Sequence, residues 1–181
     1  EGNECNPLSP YAVTKLVNEL YAGVFSRVYG LHTIGLRYFN IFGPRQDPKG
    51  AYAAVIPLFM QAAIDRKPPK INGDGETSRD FTFVENAVQA NIKAMLDTRD
   101  LSGHEAVNIA CSERTTLNQL WSHIQKISGY HEEAIHVPER QGDIRHSLAD
   151  TTKAYQLFGY DPKWKIAEGL KKAFEFYNGH P

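Results

Sequence analysis

Ser9-Pro10-Tyr11-Ala12-Val13-Thr14-Lys15 opens the stretch that decides the fold, and it runs on through Gly30 to Thr33-Ile34-Gly35-Leu36-Arg37-Tyr38-Phe39. Serine followed by proline marks a helix start: the serine oxygen accepts from a first-turn amide, and proline needs no donor there. Gly30 marks the far end, so the pattern predicts a helix over residues 11–29, about 30 Å long. The seven residues from Thr33 to Phe39 are rich in β-formers, and a strand after a glycine-ended helix reads as part of a βαβ unit. The helix carries Val13, Leu16, Val17, Leu20, Tyr21, Val24, Phe25 and Val28, more apolar positions than one stripe holds. It needs a second partner beside its own sheet, and a second copy of the protein in a helix-bundle homodimer through the Tyr11–Tyr29 helix is our preferred reading. A buried core within one monomer is the alternative.

Outward from that stretch, Gly43-Pro44 marks a loop, residues 55–64 read as a helix, and Asn72-Gly73-Asp74-Gly75 reads as a tight turn into a strand over 79–84. Residues 85–96 read as a helix again. A short strand at 107–109, a helix at 117–127 and an amphipathic helix at 166–177 complete an alternation that means an α/β fold. No repeat or linker-like stretch interrupts it, so the chain reads as one contiguous unit.

The chain has 181 residues, 41% of them hydrophobic, and a net charge of −1, which describes an ordinary globular protein rather than a disordered one. That balance offers no basic surface for nucleic acid. No run reaches the roughly 18 apolar residues of a membrane span, and the first residues are polar, so a cytoplasmic location is expected. Cys5 and Cys111 stand outside any C-x-x-C spacing and read as reduced thiols without a role.

Tyr11 and Lys15 lie four apart and share one helix face. A phenol oxygen beside an ammonium and a cationic nicotinamide is suited to proton transfer, because both positive charges stabilise its anion. Taking a hydroxyl proton in this way lets the carbinol carbon deliver hydride to NAD. With nine tyrosines in the chain, the spacing alone decides nothing. The context decides: Ser9 to Lys15 opens a helix and is followed by Arg37-Tyr38-Phe39-Asn40-Ile41-Phe42-Gly43-Pro44-Arg45. Further on stand Asn72-Gly73-Asp74-Gly75 with Ser78-Arg79-Asp80-Phe81-Thr82-Phe83-Val84, and then Arg140-Gln141-Gly142-Asp143 with Ala149-Asp150 and Lys153.

These four ordered motifs resemble the extended short-chain dehydrogenase/reductase family, and the last is similar to a segment of its NAD-dependent nucleotide-sugar epimerases. The resemblance spans essentially the whole chain. It implies the C-terminal part of such an enzyme: the end of a Rossmann-like domain with the Tyr-x-x-x-Lys helix (about 1–45) and a substrate-binding domain (about 46–181). It further implies Tyr11 as the acid/base, Lys15 on the nicotinamide ribose and Phe39 beside the cofactor. Asn40 would touch a UDP-sugar substrate, and backbone near Ala54 and Val55 would help to hold it. Lys70, Ile71 and Asn72 would line the uridine, Arg79 and Arg140 would bind the diphosphate, and Asp143 would accept from a ribose hydroxyl.

Ser147, four beyond Asp143, matches a position that is often a bulky tyrosine in family members restricted to glucose and galactose. A small side chain there leaves room for an acetamido group. Together with Tyr29-Gly30, Gln46-Asp47-Pro48, the stretch from Gly50 to Pro57 and the stretch from Gly142 to Ser147, it resembles the bacterial UDP-N-acetylglucosamine 4-epimerase group. The implied chemistry is transient oxidation at C4, rotation of the 4-ketose and hydride return to the opposite face. UDP-glucose 4-epimerase, UDP-glucuronate decarboxylase and nucleotide-sugar dehydratase are the alternatives, and a non-catalytic sugar-nucleotide binding module is the alternative of another class. The glycine-rich dinucleotide loop and the serine or threonine that precedes the tyrosine in this family are expected upstream of Glu1, so the chain alone is expected to be inactive.

Two fainter patterns are set aside. His131-Glu132-Glu133-Ala134-Ile135-His136 has its histidines five apart, about 140° apart on a helix and too far round for one metal. Gly73-x-Gly75-x-x-Ser78 precedes an expected strand where a phosphate-binding helix would be needed.

Overall fold

The structure, a computed structural model, describes residues 6–7, 9–48, 54–97, 103–139 and 144–179. Its elements in chain order are α1 (Pro10–Tyr29), β1 (Thr33–Tyr38), β2 (Ile41–Phe42), α2 (Val55–Ile64), β3 (Lys70–Asn72), β4 (Ser78–Arg79), β5 (Thr82–Phe83), α3 (Val84–Leu96), β6 (His104–Ile109), β7 (Thr115–Thr116), α4 (Leu117–Ser128), β8 (Ile135–Val137), α5 (Thr152–Phe158) and α6 (Ile166–Gly179).

Helix α1 starts and stops where its punctuation dictates. The Ser9 hydroxyl accepts from the Ala12 amide at 3.1 Å, Pro10 stands in the first turn, and Gly30 adopts a left-handed φ of 65° with its amide donating to Ser26 O. Strand β1 then pairs in parallel with β6, Thr33 opposite His104 and Tyr38 opposite Ile109. Six matched positions of β1 extend β6 three residues beyond the expected 107–109. One face of this pair buries Ile34 and Leu36 with Val107 and Ile109 against Ala90, Ala154 and Tyr160, so α3 and α5 cover it. On the other face, Arg37 grips Glu19 of α1 through two bonds of 2.7 and 2.6 Å.

A second, larger core gathers α2, α4 and α6 around Phe42, Phe59, Phe83, Trp121 and Leu170. Helix α4 is amphipathic and well defined at its start: Thr116 Oγ1 accepts from the Gln119 amide while the Gln119 side chain accepts from the Thr116 amide. Its Leu120, Trp121 and Ile124 point inward. Helix α6 approaches the aromatic pair Phe42 and Phe83 so closely that a Cβ on Gly169 would sit 2.9 Å from Phe42 Cζ and from Phe83 Cβ. Only glycine fits that crossing.

Three expectations need correction. The strand expected over 79–84 is two short strands in different pairings: β4 runs antiparallel to β7, and β5 runs parallel to β2. Asp80 between them is fully buried and turns its carboxylate to backbone amides, so no single ladder continues through it, and α3 begins at Val84. Residues 135–137, assigned to no element by the sequence pattern, form β8, which pairs with β3, and His136 Nδ1 bonds with Gly73 O at 2.7 Å. Helix α5, seven residues with Ala154 buried, lies where no element was expected.

Candidate active site

Two cavities flank the C-terminal end of β1. The first, about 950 Å³, lies beside α1 and is lined by Tyr11, Lys15, Phe39 and Ile144 among others. Tyr11 and Lys15 sit on one helix face as their spacing requires, with Lys15 Nζ 5.1 Å from the centre of the Tyr11 ring. Tyr11 is 70% exposed, so its hydroxyl is open to a ligand in the cavity. The carboxylate of Glu19 lines the same space, and the Arg37 guanidinium it binds holds its pKa below the usual glutamate value. That ion pair fastens the helix bearing Tyr11 to β1, the strand that leads into Phe39. Arg37 was read only as part of a motif; its role as the fastener is visible only once helix and strand are packed.

The second cavity, about 690 Å³, lies just past β1, between β2 and α2. Asn40, Ala54, Val55, Lys70, Asn72 and Arg79 all line it. Asn40 reaches it through a left-handed backbone, φ 39°, which asparagine tolerates better than most residues. Its Nδ2 donates to Asp80 O at 3.2 Å and its own carbonyl accepts from the Thr82 amide at 3.2 Å, so the turn is tied to β5. Phe39 and Asn40, adjacent in sequence, thus line different cavities. Ala54 precedes α2 in extended conformation without a side-chain cap bond.

The lining carries Lys67, Lys70 and Arg79 against Asp65, an excess of positive charge. Lys67, which sequence reasoning passed over, belongs to Lys67-Pro68-Pro69-Lys70, where two lysines bracket a rigid proline pair; that was the available signal. Phe81 and Leu117 complete an apolar wall.

Other expected residues lie elsewhere. Ile71 is 1% exposed and belongs to the α2–α4–α6 core, so its side chain does not line the cavity. The alternation of a three-residue strand turns Lys70 and Asn72 outward and Ile71 inward. Ser147 is half-buried beside β4, its amide donating to Ser78 O at 3.1 Å, and it is among the lining of neither cavity. Arg140 and Asp143 fall outside the described residues. Asp80, quoted only within a motif, accepts from the amides of Cys111 at 3.0 Å and Ala149 at 3.3 Å, and burial nonetheless pushes its pKa up. Among the described residues no helix is long and apolar enough to cross a membrane, and no group of three or more histidine, cysteine or acidic side chains clusters as a metal site.

Comparison with known proteins identifies the fold that carries these residues. The solved UDP-glucose 4-epimerase of Thermotoga maritima, determined with UDP-glucose, is 40% identical and superposes with a TM-score of 0.90 over 96% of this chain and 55% of its own. A UDP-N-acetylglucosamine 4-epimerase from Methanobrevibacter ruminantium, in complex with UDP-N-acetylmuramic acid, is 37% identical with a TM-score of 0.93 over 100% of this chain and 57% of its own. A UDP-glucose 4-epimerase of Mycolicibacterium smegmatis is 34% identical over 172 residues, 95% of this chain and 54% of that protein. The chain therefore spans about half the length of the relatives it matches. The profile of the NAD dependent epimerase/dehydratase family matches residues 1–110. With Tyr11, Lys15 and Phe39 on one side of a strand end and a cationic cavity on the other, the chain belongs to the NAD dependent epimerase/dehydratase family.

Proposed function

We propose that this chain is the substrate-binding part of a longer enzyme that inverts C4 of a UDP-hexose with NAD. The observation that carries this reading is the straddled end of β1: Tyr11, Lys15 and Phe39 line one cavity, and Asn40 opens the other. Ligands in open α/β sheets bind at strand carboxyl ends, which fits both cavities. The division into the end of a dinucleotide-binding domain (about 1–45) and a substrate-binding domain (about 46–181) belongs to the same proposal, with β6 pairing onto β1 from the later part.

The first cavity suits a nicotinamide ribose, because Tyr11 and Lys15 present a phenol and an ammonium to the same space as the flat ring of Phe39. When bound there, NAD supplies the acceptor and donor of hydride. Tyr11 takes the proton from the 4-hydroxyl and returns it, and the Lys15 ammonium holds the ribose and stabilises the phenolate charge. In the second cavity Arg79, with Lys67, grips the diphosphate; Asn40 contacts the sugar nucleotide, and Lys70 and Asn72 face the uridine. Arg140 and Asp143 are assigned to the diphosphate and a ribose hydroxyl on the resemblance alone. We further propose UDP-N-acetylglucosamine as the sugar substrate, on the small Ser147 and the neighbouring stretches of sequence. A homodimer through α1 and a cytoplasmic location complete the proposal. The exposure of Leu20, Tyr21, Val24, Phe25 and Val28 along α1 supports the dimer.

The test uses a protein in which this chain follows a dinucleotide-binding half. Incubation with UDP-N-acetylglucosamine, and separately with UDP-glucose, is followed by NMR for the C4 epimers. Faster conversion of the acetylated sugar, a preference reversed by Ser147→Tyr and turnover lost in Tyr11→Phe, is the expected result. Conversion of UDP-glucose alone ends the substrate assignment and leaves the epimerase reading; conversion of neither ends both and brings forward a dehydratase or decarboxylase. The chain by itself should bind UDP without turnover.

A further inference from the structure

Arg79 lies between two buried polar residues. Ser78 is 3% exposed and Asp80 0%, and the extended backbone turns both inward while Arg79 reaches the cavity. Buried polar groups are costly unless bonded, so their partners report what they hold. Besides Thr116 across the β4–β7 pair and its neighbour Arg79, Ser78 bonds to a single segment. Its amide donates to Arg145 O at 2.9 Å, its carbonyl accepts from the Ser147 amide at 3.1 Å, and its Oγ bonds with His146 Nδ1 at 2.9 Å. Asp80 Oδ2 accepts from the Ala149 amide at 3.3 Å, while Oδ1 accepts from Cys111. Ser112, beside Cys111, donates its hydroxyl to Ala149 O at 2.9 Å. The guanidinium of Arg79 is aimed by the same segment: its Nη1 lies 2.9 Å from Ser78 O and 3.5 Å from Arg145 O.

We propose that Ser78 and Asp80 are positioning residues for substrate binding: by clasping the Arg145–Ala149 segment to β4 they fix the direction of Arg79 and the place of Ser147. The proposal rests on the reading that Arg79 takes the diphosphate. A carboxylate rather than an apolar side chain at position 80 follows from the task, because only a group with two acceptor oxygens joins the end of β6 and the Ala149 amide at once. The segment is also held by the Ser112 bond to Ala149 O and, at its edge, by the exposed ion pairs of Arg145 with Asp74 and Glu139, which are screened by solvent. The two buried residues are therefore the firm part of the clasp.

The test compares UDP with uridine, which lacks the phosphates, as ligands of the 181-residue chain. NMR titration and amide hydrogen exchange are run on wild type, Asp80→Asn, Asp80→Ala and Ser78→Ala. In Asp80→Asn one amide acceptor is lost, so UDP affinity should fall about tenfold while uridine affinity stays within about twofold. Exchange of the Ser147 and Ala149 amides should quicken while that of Val107 in β6 stays slow. Asp80→Ala should exceed Asp80→Asn, and where it fails to fold, Asp80→Asn and Ser78→Ala carry the test. Equal weakening of UDP and uridine shows a general loosening and overturns the proposal. So does unchanged exchange at Ser147 and Ala149. Wild-type chain that binds neither ligand refutes the substrate reading and this proposal with it, whereas wild type that binds UDP with variants that bind it equally well refutes this proposal alone.

Discussion

Helices α1 and α4 are both built from apolar residues at helical spacing, yet they end in opposite conditions. In α4 the inward positions are sealed: Trp121 is 3% exposed and Leu120 and Ile124 are fully buried. In α1 only Ser26 is buried, and Leu20 is 60% exposed. Helix α4 has its partners, α2 and α6, within the chain, and its apolar face is covered by them. Helix α1 touches the β1–β6 pair on one side and displays the rest. The α2–α4–α6 side of this molecule is a finished core, while the side bearing Tyr11 and Lys15 presents apolar surface to solvent.

The largest expected break of this contrast is Trp121→Ala, which removes an aromatic packed edge-on to Phe59 and should cost about 3–5 kcal/mol. Urea unfolding of the 181-residue chain measures it. Gly169→Ala adds one methyl against Phe42 and Phe83 and should cost about 1–3 kcal/mol in the same assay; a smaller loss would mean that the finished core has slack.

A third prediction separates the two sides by acid. Glu19, on α1, has its pKa lowered by its bond to Arg37, so its contribution to stability is present above the ordinary value of 4.5 and lost as pH falls through the lowered one. Asp80, in the finished side, has its pKa raised by burial, so its contribution is greatest below the ordinary value of 3.8 and declines as pH rises through the raised one. Stability differences between wild type and Glu19→Gln, and between wild type and Asp80→Asn, should therefore slope in opposite directions with pH, by about 1 kcal/mol or less for the half-exposed Glu19 pair. Slopes of the same sign would contradict the contrast. The smallest effect is expected for Leu20→Ala, below about 0.5 kcal/mol in the chain alone. A larger loss would mean that α1 is already covered, by a second copy or by the chain itself, and sedimentation of wild type against Leu20→Glu distinguishes the two.

Much of this was legible because it is local. Ser9-Pro10 and Gly30 fix the ends of α1 through the backbone's own bonding needs, and α2, α4 and α6 follow from periodicity. Strands β3 and β8 were not legible: three residues carry almost no pattern, and Lys70 and Ile135 pair only because α2 and α4 bring them together. Helix α5 escaped because seven residues give fewer than two full turns to read. In the site, Tyr11, Lys15, Phe39, Asn40 and Arg79 stood out through motif and spacing. Ile71, read with Lys70 and Asn72 as one lining, has its side chain sent inward by strand alternation, which a contiguous run does not reveal. Ser78 and Asp80 went unread because what they hold lies far along the chain.

The parallel pairing of β1 with β6 has a kinetic side. Thr33 and His104, which meet through a 2.8 Å side-chain bond, are 71 residues apart in sequence. Closing so long a loop is entropically costly before any contact repays it, and parallel pairs of this kind slow folding. The α2–α4–α6 core closes a longer separation still, since Tyr177 of α6 bonds to Gly43 O 134 residues away, so during synthesis the β1–β6 ladder, and with it the strand end that presents Phe39 and Asn40, can close before α6 completes the core.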